Sequence, residues 1–204
     1  MKAKYFIWDF DGTIIDTYPH STEILVSTMR EYGIEIDYSE AIVRLRSSFS
    51  QTKKHYNMTD EMFDVFLKRA CTLTEPHPVP YEGVYELLDN ICKAGGKNFL
   101  YTHRDKSAIE YLKMYDLLGF FTECITTESE QFCLKPRPDS IEYLAKKYNL
   151  PKELTVMVGD REIDVLSGKN AGCGGILFDE RSISAQTEAD ATVTRITDIS
   201  DFIA

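Results

Sequence analysis

Apolar residues gather in short runs that each give way to polar or glycine-containing segments. Tyr5-Phe6-Ile7-Trp8 meets Asp9 at once, and similar runs recur at Asn98-Phe99-Leu100-Tyr101, Cys124-Ile125-Thr126, Thr155-Val156-Met157-Val158 and Gly175-Ile176-Leu177-Phe178. Runs this short, bounded by turn-forming residues, predict buried strands. Helical spacing lies between them. Val84, Leu87, Leu88 and Ile91 form a stripe that Gly95-Gly96 ends. Ile141, Leu144, Ala145 and Tyr148 form another, opened by Asp139-Ser140-Ile141-Glu142 with capping-box spacing and stopped by Pro151. Strands alternating with helices from residue 81 onward predict an α/β fold, with a parallel sheet covered by helices on both faces.

Residues 17–80 break this rhythm. Ile24, Leu25, Thr28, Met29 and Tyr32 make one helical face, and Met62, Phe63, Phe66, Leu67 and Ala70 make another. Thr59 is placed to cap the second of these, with Asp60 and Glu61 favourable in its first turn. Ser39 is placed to cap a third helix running through Leu45. No strand pattern is present, and Pro76-His77-Pro78-Val79-Pro80 forms a stiff return. The segment predicts an all-helical insertion, residues 17–80, in a core made of residues 1–16 and 81–204.

Composition narrows the function classes. With 33 Asp and Glu against 23 Lys and Arg, the net charge of −10 disfavours nucleic acid and anionic membrane as partners. No apolar run approaches the ~18 residues of a membrane span, and the N-terminal run meets Asp9 too early for a signal peptide. Five cysteines without a C-x-x-C pair predict reduced thiols, and a cytoplasmic protein is expected.

The strongest chemical signal is Asp9-Phe10-Asp11-Gly12-Thr13-Ile14-Ile15-Asp16, directly after the first strand. Ligands of parallel α/β sheets bind at the carboxyl ends of strands. Two carboxylates brought close there repel unless a cation lies between them, and Mg²⁺ suits hard oxygen ligands. Asp9-x-Asp11-Gly12-Thr13-x-x-Asp16 resembles the first motif of the haloacid dehalogenase superfamily. Three further elements follow in the order that family requires. They are Thr102 ending a strand, Lys135 in Lys135-Pro136-Arg137-Pro138-Asp139 before a helix, and Gly159-Asp160 with Asp164 after another strand.

The resemblance implies a Rossmann-like core with a small all-helical cap inserted after the first strand, as in the phosphoglycolate phosphatase and β-phosphoglucomutase branch. It also implies the chemistry: a Mg²⁺-dependent phosphatase acting on a small phosphorylated metabolite. Asp9 is then the nucleophile that becomes phosphorylated, and Asp11 is the general acid and base. The metal is assigned to Asp9, Asp11, Asp160 and Asp164, the last ligating directly or bracing the site through water. Thr102 donates to a phosphate oxygen and Lys135 neutralises charge. If a helix starts at Asp160, Asp160 and Asp164 share one face of it.

Substrate contacts are expected from His103 and Arg104 beside Thr102, and from Arg46 in the insertion, where Arg44, Ser47, Ser48, His20 and Lys54 are further candidates. Arg46-Ser47-Ser48-Phe49 lacks the glycine expected after that arginine, which argues against phosphoglycolate as the specific substrate. A phosphosugar mutase using the same nucleophile and a non-catalytic Mg²⁺-binding module are the alternatives. Asp11, Asp160 and Asp164 argue against a dehalogenase, which needs neither metal nor acid. A monomer or homodimer is expected.

Overall fold

The computed structural model describes residues 1–73, 75–181 and 186–204. The chain divides into two units, Met1–Ile15 with Pro80–Ala204, and Asp16–Val79. The first is built on a parallel six-stranded sheet of β1 (Tyr5–Trp8), β2 (Lys97–Tyr101), β3 (Phe121–Ile125), β4 (Thr155–Gly159), β5 (Gly174–Phe178) and β6 (Ala191–Val193). The spatial order is β3-β2-β1-β4-β5-β6, so β1 lies between β2 and β4. Chain direction across the sheet reverses there. The crevice at the carboxyl end of β1 is therefore the natural ligand position.

Alternation along β1 divides its side chains between the two faces. Ile7 joins Phe99, Tyr101 and Met157 in a buried cluster with Ile141 and Leu144 of helix α7 (Asp139–Tyr148). Phe6 and Trp8 stack at 5.8 Å and are fully buried. On this face the Trp8 indole N–H donates to Asn98 Oδ1 at 2.9 Å, and Asn98 Nδ2 donates to the Leu88 carbonyl of helix α5 (Val84–Lys93). Burying two amide groups and an indole N–H is tolerable only because each is paired.

The second unit is helical: α1 (Tyr18–Glu31), α2 (Tyr38–Ser47), α3 (Phe49–His55) and α4 (Asp60–Ala70). Leu25, Met29, Leu45, Met62 and Phe66 form its core. Thr59 caps α4, its hydroxyl accepting the Met62 N–H at 3.2 Å. Among the described residues no helix is long and apolar enough to cross a membrane.

Several local expectations are corrected. Asp37, not Ser39, caps α2, because its carboxylate reaches the Glu40 N–H at 2.8 Å. Asp139 is the first residue of α7 and not its cap; its carboxylate is held by Arg137 instead. Tyr32 lies past the end of α1 and is exposed. Strand β3 starts at Phe121, earlier than its apolar run, and β6 carried no recognisable signal. Both are edge strands, where Thr122, Glu123 and Thr192 are tolerated because one side is open to solvent.

Replacing Asn98 by Leu fills about the same space but leaves the buried Trp8 N–H without its acceptor, while the Leu88 carbonyl keeps its partner inside α5. A loss of about 1–3 kcal/mol is expected, read by urea denaturation with Trp8, the single tryptophan, as the fluorescent probe. A change under about 0.5 kcal/mol would show that the buried pair does not stabilise this face.

Candidate functional site

Asp9 continues the ladder beyond β1, its N–H donating to the Val158 carbonyl at 2.9 Å. The chain then turns at Gly12, which takes φ +73°, a conformation that costs glycine little. Three successive N–H groups, of Thr13, Ile14 and Ile15, fold back on the Phe10 carbonyl. This turn holds Asp9 buried and leaves the Asp11 side chain 22% exposed.

Lys135 reaches the same place from the segment before α7. Its buried ammonium donates to Asp9 Oδ1 at 2.6 Å and to Asp164 Oδ1 at 2.7 Å, and lies over the Tyr101 ring. Burial pushes the Asp9 carboxyl up to about 6; Lys135 pulls against this and Asp164 adds to it. Burial acts on Asp164 in the same direction, but Lys135 and Arg161 outweigh it and hold that carboxyl below its ordinary value. Burial would lower the Lys135 pKa, yet the two carboxylates raise it, so the ammonium stays charged.

Strand β4 ends at Gly159, and Asp160 follows directly. Helix α8 (Glu162–Asn170) begins two residues after Asp160, so Asp160 and Asp164 do not share a helix face. Asp164 instead folds back on the turn, where its Oδ2 accepts the Arg161 N–H at 3.0 Å. Gly159 makes that approach possible: a Cβ there would lie 2.3 Å from Asp164 Cβ. Oxygens of Asp9, Asp160 and Asp164 lie within 4.8 Å of one another. Three carboxylates against the Lys135 ammonium and the Arg161 guanidinium, 4.0 Å from Asp160 Oδ1, leave the cluster anionic by one charge. Asp9 Oδ2 is buried with no hydrogen-bond partner among the described residues. Oxygen-only donors and a surplus of negative charge suit a hard divalent cation. Asp9 and Asp160 are the better placed to hold one, since both Asp164 oxygens already accept hydrogen bonds.

Thr102, His103 and Arg104 follow β2. The buried Thr102 hydroxyl oxygen accepts the Arg104 N–H at 3.1 Å. His103 Nε2 accepts the Lys135 N–H at 2.9 Å, and the ring packs edge-on against Phe132. Burial, with Lys135 and Arg161 nearby, lowers the His103 pKa to about 4. Arg104 donates to Asp11 Oδ1 at 2.8 Å and to Ser107 Oγ at 2.8 Å. Of these two expected substrate contacts, His103 thus meets the Lys135 backbone and Arg104 meets Asp11, inside the same cluster as Asp9.

Sequence reasoning missed Tyr101, Ser107 and Ser140. Ser140 is buried in α7, accepts the Cys133 N–H and donates to the Gln131 carbonyl, bracing the segment that delivers Lys135. Ser140 was visible only as part of a capping pattern, and no spacing marks Tyr101 or Ser107.

In the helical unit Arg46 lies 3.4 Å from Asp16 and stacks on the Tyr18 ring. Arg44 pairs with Glu40, Ser48 caps α3, His20 is buried, and Ser47 and Lys54 are exposed.

Residues 6–178 match the family model for haloacid dehalogenase-like hydrolases. A pyrophosphatase PpaX of Halalkalibacterium halodurans is 28% identical over 180 residues, covering 84% of this chain and 81% of the relative. The crystal structure of a hydrolase from Streptococcus pneumoniae is 32% identical, with a TM-score of 0.66 over 87% of this chain and 94% of that one. A HAD-superfamily hydrolase from Geobacter sulfurreducens superposes with a TM-score of 0.75 at 21% identity, over 99% of this chain and 97% of its own. With its acidic turn, buried lysine and closing carboxylates all inside the matched region, the chain belongs to the haloacid dehalogenase-like hydrolase family.

Proposed function

We propose that the chain is a Mg²⁺-dependent phosphatase that hydrolyses a small phosphorylated metabolite through a phosphorylated Asp9. The observation that carries this reading is the state of Asp9: one oxygen fixed by Lys135, the other buried without a hydrogen-bond donor beside Asp160. A nucleophile held by one oxygen keeps the other aimed, which replaces much of the entropic cost of attack.

Asp9 attacks phosphorus as the ester oxygen leaves, and Asp11 gives that oxygen a proton. Thr102 already accepts the Arg104 N–H, so its own proton is available to a phosphoryl oxygen. Lys135 keeps a positive charge against the reacting oxygens throughout. Asp11, now a carboxylate, takes a proton from the water that cleaves the aspartyl-phosphate. A Mg²⁺ ion held by Asp9, Asp160 and the Asp11 carbonyl would supply further positive charge to the phosphoryl oxygens.

The helical unit, inserted between the strands that carry Asp9 and Thr102, is read as the cap that selects the substrate, with Arg46 its candidate contact. Inorganic pyrophosphate is a second substrate reading, favoured by the PpaX relatives. A cytoplasmic setting fits both readings.

Phosphate release from a panel of small esters and pyrophosphate should require Mg²⁺, and Asp9→Asn should lower it at least about 1,000-fold. Asp160→Asn should raise the Mg²⁺ requirement about 10- to 100-fold. Release that survives in Asp9→Asn would sink the covalent mechanism, while the ranking of esters against pyrophosphate decides between the two substrates.

Protons and metal compete for Asp9, whose carboxyl sits at about 6 without the ion. Mg²⁺ affinity should therefore be level above neutral pH and fall as pH drops through about 6, approaching tenfold per unit for one competing proton. Calorimetric titration at about pH 5 and pH 8 measures this; equal affinities at both would remove Asp9 from the ligand set.

A further inference from the structure

Arg104 is built into its place more firmly than a substrate contact requires. The residue is 6% exposed. Its Nε donates to Ser107 Oγ at 2.8 Å, and its guanidinium lies 5.7 Å from the Phe10 ring centre and 5.3 Å from that of Tyr111. Phe10 and Tyr111 pack on each other at 6.1 Å, so the two aromatic residues form one wall. Ser107 and Tyr111 both belong to helix α6 (Ser107–Met114), which makes the wall and the serine a single rigid support. From this support one nitrogen reaches Asp11 Oδ1 at 2.8 Å. The Asp11 side chain is 22% exposed and that of Arg104 only 5%, so the guanidinium is the more deeply buried partner of the pair.

We propose that Arg104 is a positioning residue for Asp11: it aims the acid and steadies the carboxylate left after the proton has gone to the leaving oxygen. The proposal rests on the phosphatase reading. As the phosphorus–oxygen bond of the ester breaks and the bond to Asp9 forms, the Asp11 proton moves to the leaving oxygen. Asp11 is then an anion beside a fixed cation. It returns to the acid form by taking a proton from the attacking water, whose oxygen goes to phosphorus as Asp9 is released. A charge-assisted bond from a guanidinium that cannot turn is worth most at this stage, since no reorganisation is needed when the carboxylate forms. A guanidinium that instead gripped the phosphoryl group would act alike on every ester.

Leaving groups separate these roles. An alkyl phosphate such as glycerol phosphate needs a proton on its departing oxygen, whereas p-nitrophenyl phosphate needs almost none. The values of kcat/KM for both esters are compared in wild type, Arg104→Met, Arg104→Lys and Ser107→Ala. For Arg104→Met, kcat/KM on the alkyl ester should fall about 10- to 100-fold and on the aryl ester less than about threefold. Arg104→Lys should recover part of the loss. Adding Arg104→Met to Asp11→Asn should cost nothing more, because one residue acts through the other. Equal losses on both esters, or losses that add to those of Asp11→Asn, overturn the proposal. Where Arg104→Met does not fold, as judged by circular dichroism, Ser107→Ala keeps the charge but loosens it, and the same selectivity for the alkyl ester decides. Failure of wild type to release phosphate from either ester in an Asp9-dependent way overturns the phosphatase reading itself, and does so before any Arg104 variant is measured.

Discussion

The site depends on one dry ammonium shared by two carboxylates. Lys135 lies between Asp9 and Asp164 with no exposed surface on its side chain. Removing a charge from water costs several kcal/mol, and the cost is recovered only when the geometry is good and the remaining donors are used. Here two bonds go to carboxylates and a third side is covered by the Tyr101 ring. Much of the surrounding structure serves this arrangement. Gly159 leaves room for Asp164, His103 holds the Lys135 amide, and Ser140 fastens the segment just before it. A buried triad of this kind is weak evidence for stability and better evidence for function.

Strand order explains why these groups meet. Asp9, Thr102 and Asp160 stand at or just after the ends of β1, β2 and β4, which are adjacent in the sheet. Parallel pairing brings all three ends to one edge, so three residues far apart in sequence need no long side chain to come together. Lys135 arrives from the connection between β3 and α7 and supplies the length that the carboxylates lack.

What could be read in the sequence follows from the range of each signal. Apolar runs and helical stripes repeat locally, so the buried central strands and the amphipathic helices α5 and α7 were legible. The edge strands β3 and β6 were poorly legible, because a half-exposed strand does not need continuous apolar residues. The acidic turn and Gly159-Asp160 were legible as a pattern, but their wiring was not. Arg104 and Asp11 are 93 residues apart, and His103 and Lys135 are 32 apart. No periodicity links such pairs. Likewise, nothing in Asp160-Arg161-Glu162 shows that α8 starts late enough to turn Asp164 back toward Lys135.

The protonation states around Asp9 pull against one another, and the balance suits a nucleophile at neutral pH. Burial alone favours the neutral acid, which cannot attack phosphorus. Lys135 opposes that, and the carboxyl comes to rest at about 6, so it is mostly ionised near neutrality. Asp164 is held below its ordinary pKa by Lys135 and Arg161 and stays ionised beside it. His103 completes the balance by staying neutral. With its pKa lowered to about 4, its ring nitrogen can accept the Lys135 N–H; a protonated ring would have no lone pair to offer and would add a second cation. The histidine thus fixes the position of the lysine without altering the charge that the lysine must share. Asp9 is left with an ionised oxygen facing the acidic cluster, where charge compensation is still incomplete and a divalent cation would have most effect.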